Sequence, residues 1–348
     1  MKAKLMSANT PSDRVLVTGI SGFLGGHLAL QLLEAGFTVR GSVRNLNKAD
    51  KVRQTLAGAG ADISRLEFVE LDLLADTGWD AAMTDVRYLQ HTASPFVIDL
   101  PADKMELIRP AVEGTERALD AALQSGVERI VLTSSMAAIA YGHDKRRTAP
   151  FTEADWTDLD GRGVNAYIES KTRAERRAWE IVAGFGRREA LATINPSAIL
   201  GPLLDEDPGT SALLVKRLLN GSVPALPRIS FGIVDVRDVA DAHVRAMTSP
   251  EAGGRRFPMS ERTLFMADVA QVLRETLPGR RLPRLALPDW GVRLYGLFDK
   301  DVRGLINELG VVKRLDSAAA VRLLGHPLIP APDAIVATAR SLLEHKLV

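Results

Sequence analysis

The stretch "RVLVTGISGFLGGHLALQLLEAG", residues 14–36, decides the reading of the fold. Its opening, Arg14–Ile20, is a short apolar, β-branched run that reaches glycine, the pattern of a buried strand. From His27 onward the apolar residues fall at helical spacing among good helix formers, with Gly36 as a C-terminal stop. Between strand and helix, Gly19, Gly22 and Gly25 form a G-x-x-G-x-x-G turn. Such a turn leaves out Cβ atoms where the chain bends, where a pyrophosphate approaches the backbone and where the helix packs on the strand. The helix N-terminus then offers free N–H groups and the positive end of its dipole to phosphate. Gly19, Ser21, Gly22, Phe23, Leu24 and Gly25 are therefore the first candidate cofactor-binding residues.

Working outward, strand patterns recur at "FTVRGSVR", "RLEFVELDL", "VRYLQHTAS", "RIVLTSS" and "EALATINPSAILGP". Helical patterns stand between them: "KADKVRQTLAGAG", the long "DKMELIRPAVEGTERALDAALQSG" despite Pro110, and a helix opening near Tyr167 and running to about Gly184. Repeated βαβ spacing predicts an α/β fold of Rossmann type, a doubly wound parallel sheet with helices on both faces. Past residue 200 the chain is denser in Pro and Gly, although "GIVDVRDVADAHVRAM" still reads as a strand and a helix. The expected organisation is a flexible tail over 1–13, a nucleotide-binding domain over 14–200 to which 233–250 returns, and a smaller, loop-rich lobe over 201–348 that mainly binds substrate.

The second strand selects the cofactor. An NAD site places Asp or Glu about 20 residues after the glycines, to hold the ribose hydroxyls. Here "RGSVRNLNK" carries Arg44 and Lys48 and no acid before Asp50. Both cations suit a 2′-phosphate, which a carboxylate would repel, so NADPH/NADP+ is the expected cofactor. Lys48 also fits a solvated surface charge. Asp72 ends the third strand, where it can accept from an adenine amino group beside Leu73 or equally cap a helix. Thr92, Ala93 and Ser94 are small enough for backbone to lie along the cofactor, and Thr133 stands at the end of the fifth strand. His91 reads as packing near a strand end. No histidine is given a role, and no metal site is expected.

"NAYIESKTRAE", residues 165–175, sets Tyr167 and Lys171 one helical turn apart. In an open α/β sheet, ligands sit at the carboxyl ends of the strands. Ser135 ends the fifth strand, 32 residues before Tyr167, so all three side chains can face one crevice. A phenol of pKa about 10 is a weak acid-base group near neutrality unless its anion is stabilised. A lysine cation and the positive oxidised nicotinamide supply that stabilisation. The expected chemistry is hydride transfer between NADPH and a carbonyl carbon, with Tyr167 as proton donor, Ser135 orienting the carbonyl oxygen, and Lys171 lowering the tyrosine pKa and holding the nicotinamide ribose.

"TGISGFLG", "HTASPF", "VLTSSMAA", "NAYIESK", "INPSAILGP" and "VDVRDVADAH", in this order, resemble the extended short-chain dehydrogenases/reductases. Within them the likeness is to the dihydroflavonol, cinnamoyl-CoA and methylglyoxal/isovaleraldehyde reductase group. It runs from Arg14 to Glu261 and weakens toward "AAAVRLLGHPL". The resemblance implies an NADPH-dependent aldehyde or ketone reductase, or an alcohol dehydrogenase in reverse, with Ser135, Tyr167 and Lys171 catalytic. It also implies that Pro196 and Ser197 lie along the nicotinamide, that Ser211 reaches the cofactor, and that Phe96, Met136, Tyr141 and the loop 200–232 surround the substrate. Apolar Phe96 and Met136 suit an aryl or alkyl carbonyl, although such residues after a strand are often plain core. "FTEADW" resembles a recurrent family loop in which Trp156 also fits a packing anchor.

The whole composition bounds the rest. A net charge of +1 over 348 residues gives no electrostatic case for nucleic acid or an anionic membrane. The absence of cysteine excludes disulfides, zinc–thiolate sites and cysteine nucleophiles. No signal-length apolar segment or membrane-length run is seen, so a cytoplasmic monomer or homodimer acting on a small carbonyl or alcohol is expected. A sugar-nucleotide epimerase or hydroxysteroid dehydrogenase would typically carry an acid where Arg44 stands. An NADP-sensing protein without turnover would often lack the tyrosine or the lysine.

Overall fold

A computed structural model describes residues 13–94, 103–297, 304 and 306–348. The predicted order of the first half is present, with one short helix, α3, that the pattern did not show: β1 (Arg14–Thr18), α1 (Phe23–Glu34), β2 (Thr38–Val43), α2 (Ala49–Gly58), β3 (Leu66–Glu70), α3 (Trp79–Met83), β4 (Val86–His91), α4 (Met105–Gln124), β5 (Arg129–Thr133), α5 (Ala166–Gly184) and β6 (Leu191–Pro196). The chain continues through β7 (Ala198–Leu200), α6 (Ala212–Leu219), β8 (Leu226–Pro227), β9 (Ser230–Asp235), α7 (Val236–Thr248), β10 (Arg256–Met259), β11 (Arg262–Phe265), α8 (Met266–Thr276) and α9 (Asp289–Tyr295).

The main sheet has seven strands in the order β10-β6-β5-β4-β1-β2-β3, all paired in parallel. Strand β1 shows why it is covered on both sides. Val15 and Val17 point into a core shared with α1 and α7, whereas Leu16 points into a core built with α3, α4 and α5. Pro110 lies inside α4 without ending it. It is the sixth residue of that helix, so it removes one early hydrogen bond while the rest of the helix packs on α5.

Three features differ from the sequence expectation. The seventh strand, β10, lies in "RRFPMS", which the pattern left unassigned. The strand expected over 189–202 is two strands that part at Ser197: β6 stays in the main sheet and β7 joins β9 and β11 in a second one. Third, Asp13 is not part of a loose tail; it is buried, with its carboxylate accepting two bonds of 2.9 Å from Arg87. Residues 1–12 lie outside the described part.

The second sheet forms a separate core with α6, α8 and the C-terminal helix Ala331–Glu344. It stands against the carboxyl ends of β5 and β6, which creates a cleft along that edge.

Candidate active site

The main sheet reverses winding between β1 and β4, and the glycine turn sits at that point. Gly19 has φ +73°, and a Cβ there would lie 3.0 Å from the Ala93 backbone. Gly25 is more constrained, because its Cβ would fall 2.1 Å from the Gly19 carbonyl oxygen. Turn and helix thus touch backbone to backbone. Gly22 caps α1 with no side-chain bond, leaving the first N–H groups of that helix facing the cleft. Thr18 and Thr92 fasten the two strand ends: the Thr92 hydroxyl donates to the Thr18 carbonyl at 2.6 Å, and the Ala93 N–H donates to the Thr18 hydroxyl at 3.2 Å.

The loop after β7 folds over this turn. Gly209, at φ +59°, lies against Phe23, and Leu204 against Gly26. The resulting cleft of about 600 Å³ is lined by Gly19, Gly22, Phe23, Leu24, Gly25, Thr92, Ser94, Thr133, Ser135, Tyr167, Lys171, Pro196, Ser197 and Ser211. Every one of these was a sequence candidate. Ser134, Asn165 and Ile199 also line it and were not, while Gly209 and Thr210, which line it too, belong to the loop 200–232 expected around the substrate. Asn165 had a signal available, since it is the N-cap of α5 and its side chain accepts from the Ile168 N–H at 3.0 Å.

The remaining candidates lie off this lining. Ser21 faces a neighbouring recess with Val52 and Leu204, and Ala93 backs Gly19. Arg44 directly follows β2, two residues past the Thr18–Ser42 pairing, so it stands on the same strand-end edge as the glycine turn. Arg44 and Lys48 are exposed, and neither makes an ion pair among the described residues. Asp72 adopts neither a helix-cap position nor a place in the cleft: its carboxylate accepts from the Leu74 N–H at 3.0 Å within a turn. Leu73 packs beside Gly114 of α4.

Ser135, Tyr167 and Lys171 meet at the centre of the cleft. The Ser135 hydroxyl accepts from the Ala137 N–H at 3.1 Å, which leaves its own proton for the Tyr167 phenol, to which it is hydrogen-bonded. The Lys171 ammonium lies 6.0 Å from the centre of the Tyr167 ring. Burial pushes the phenol above its ordinary pKa, and the Ser135 bond only partly offsets this. Burial likewise pushes Lys171 down to about 8. In the protein by itself the phenol thus lies above its ordinary value, with desolvation of the phenolate as the larger cause.

His91 behaves as read. It bonds the Thr18 hydroxyl at 2.9 Å and is held neutral, with a pKa of about 4, by burial and by the Lys171 cation.

A second pocket of about 190 Å³ opens from the cleft and shares Ser135, Tyr167, Ser197 and Ser211 with it. Met136 and Tyr141 line it together with Phe231 from β9. Phe96 lies outside the described residues. Thr263, Glu308 and Lys313 complete the wall and gave no sequence signal, because they arrive from distant parts of the second lobe. The Lys313 ammonium pairs with Glu308 and lies 4.3 Å over the Tyr141 ring. Ser197, 7% exposed, stands where the two cavities join, and its hydroxyl oxygen has no protein partner. Trp156 is the packing anchor, with the Arg256 guanidinium 3.8 Å from its ring centre.

The described residues hold no group of His, Cys, Asp and Glu suited to a metal ion, and no helix among them is long and apolar enough to cross a membrane.

Residues 15–258 match the model of the NAD dependent epimerase/dehydratase family. Cinnamoyl-CoA reductase CAD2 of Medicago truncatula is 36% identical over 288 residues, 82% of this chain and 87% of the relative. Tetraketide alpha-pyrone reductase 2 of Arabidopsis thaliana is 34% identical over 268 residues, 76% of this chain and 82% of the relative. Among solved structures, yeast methylglyoxal/isovaleraldehyde reductase Gre2 complexed with NADPH superposes with a TM-score of 0.77 at 28% identity, covering 96% of this chain and 99% of that one.

Proposed function

The chain belongs to the NAD dependent epimerase/dehydratase family, and from that premise we propose an NADPH-dependent reductase of small aldehydes or ketones, reversible as an alcohol dehydrogenase. The observation that carries this reading is the meeting of Ser135, Tyr167 and Lys171 in a cleft whose floor is the glycine turn.

The cleft suits a dinucleotide phosphate. At Gly25 a Cβ would collide with backbone, the first N–H groups of α1 face inward, and the Ser197 hydroxyl is a buried polar atom awaiting a partner. Arg44 and Lys48 offer two exposed cations for a 2′-phosphate, which favours NADPH over NADH. When bound, the nicotinamide supplies the hydride. Ser135 donates a hydrogen bond to the carbonyl oxygen and fixes its orientation. Tyr167 gives its phenolic proton to the alkoxide as negative charge develops there. Lys171, cationic below a pH of about 8, then stabilises the tyrosinate left behind.

The side pocket joins this centre at Ser135 and Tyr167, so a substrate carbonyl held there places its remaining carbon skeleton against Met136, Tyr141 and Phe231. These walls suit an aryl or alkyl group better than a sugar nucleotide.

The test is loss of the nicotinamide absorbance with NADPH against aliphatic and aromatic aldehydes, aryl ketones and diketones. One class of carbonyl should be reduced, and Tyr167→Phe should lower turnover by at least about 100-fold while NADPH still binds. Normal turnover in that variant would end the assignment.

A further inference from the structure

Beneath Ser135 lies a buried ion pair to which this chemistry gives no part. Glu175 is 0% and Arg256 7% exposed. Glu175 is on α5, one turn beyond Lys171 and two beyond Tyr167, and Arg256 is the first residue of β10. One carboxylate oxygen accepts from Ser134 at 2.6 Å, Asn195 at 2.7 Å and Arg256 at 3.2 Å. The other accepts from Arg256 at 2.7 Å, Thr193 at 3.0 Å and Trp179 at 3.3 Å. Burial alone would raise the Glu175 pKa, but the Arg256 charge and the bonds from Arg256, Ser134 and Asn195 hold it below the usual carboxylate range. Glu175 is therefore an anion at neutral pH.

A buried ion pair is a poor source of stability, because apolar residues of similar volume often do as well or better. The bonds around this one converge on the catalytic serine. Ser134, immediately before Ser135, donates to Glu175, and Asn195 reaches the Ser135 carbonyl at 3.4 Å while bonded to the same carboxylate. Arg256 also donates to the carbonyls of Glu153 at 3.0 Å, Asp155 at 2.6 Å and Ala138 at 3.4 Å. Ala138 closes the short turn that carries Met136 into the side pocket.

We propose that Glu175, with Arg256 as its counter-ion, is a positioning residue that fixes the Ser135 hydroxyl against Tyr167 by holding Ser134 and Asn195 on either side of it. This rests on the proposed roles of Ser135 and Tyr167. Neither Glu175 nor Arg256 touches the reacting atoms.

The test uses Ser134→Ala, which cuts the link to the serine but leaves the ion pair, and Ser134→Thr, which keeps a hydroxyl. Glu175→Gln is measured beside them. Ser134→Ala should lower kcat about 10–100-fold, as expected for a misplaced catalytic group. Its NADPH Kd should stay within about twofold and its melting temperature should fall by no more than a few degrees, as the loss of one hydrogen bond to a charged group predicts, while Ser134→Thr regains most of the lost kcat. Unchanged kcat in a folded Ser134→Ala protein would overturn the proposal, and so would a loss confined to NADPH affinity. The Ser134 pair decides the matter even where Glu175→Gln fails to fold. Tyr167→Phe run in parallel separates two failures: if it stays active, the reading of the whole site falls, and if it is dead while Ser134→Ala is unaffected, only the positioning role falls.

Discussion

At the scale of single residues, the role proposed for Lys171 is set against stability. Its folded pKa is pushed down to about 8 by burial, from an ordinary value of 10.5. The unfolded chain therefore binds more protons between those values, and stability rises with pH across that window. Below about pH 8 the buried cation exerts its full destabilising effect. Lys171→Met should then make the protein more stable by about 1–3 kcal/mol at pH 7 while abolishing turnover. Urea unfolding at pH 7 and pH 10 checks this, because the gain should shrink at the higher pH. A variant less stable than the parent at pH 7 would mean that Lys171 contributes contacts outweighing its desolvation. The spacing of Tyr167 and Lys171 was legible in the sequence, yet the raised phenol was not. Burial depends on neighbours brought in from β5 and β6, and no local pattern records them. Glu175 was hidden for the same reason: four residues after a lysine on a helix, a glutamate reads as a solvated charge until β10 brings Arg256 against it.

At the scale of elements, the glycine turn is a junction with no room for a side chain. A methyl group at Gly25 would sit 2.1 Å from the Gly19 carbonyl oxygen, and both atoms belong to backbone that cannot rotate away. Gly25→Ala must therefore push the start of α1 off the turn. The expected cost is at least about 2 kcal/mol of stability, with NADPH binding weakened more than tenfold. Gly58→Ala is the control: its Cβ would meet nothing within 4 Å and it ends α2, so it should leave NADPH binding unchanged and raise stability by up to about 1 kcal/mol. Chemical denaturation and cofactor fluorescence read the two effects. Elements were legible where a period ran long enough, as in α1 and in α5, which begins at Ala166 and ends at Gly184. They were not where four residues made a strand. Arg256–Met259 offers no alternation, because both its faces are buried and its first residue is an arginine held by Glu175. The split of β6 from β7 was equally hidden, since it depends on β9, more than 30 residues later, claiming Ala198–Leu200 as a partner.

At the scale of the whole molecule, the main sheet with its helices and the second sheet with its own meet along the strand ends, and the cleft exists only while they do. The main-sheet part carries the glycine turn, Tyr167 and Lys171; the second lobe contributes Ser211, Phe231 and Thr263 to the walls. A ligand spanning the cleft binds the folded chain and not the unfolded one, so it stabilises the protein by about 2.7 kcal/mol at 100 times its Kd. NADPH should therefore raise the unfolding midpoint by several degrees, and NADH by clearly less at the same concentration. The difference is assigned to Arg44 and Lys48, the exposed cations at the end of β2 and the start of α2. A charged hydrogen bond to phosphate contributes about 1.5–3 kcal/mol. Arg44→Ala should thus weaken NADPH about 10–100-fold, leave NADH nearly unchanged and bring the two midpoints together. If the variant lost both cofactors equally, Arg44 would be serving the turn and not the 2′-phosphate. The preference for NADPH would then have to come from Lys48, and Lys48→Ala would be the variant in which the two midpoints converge.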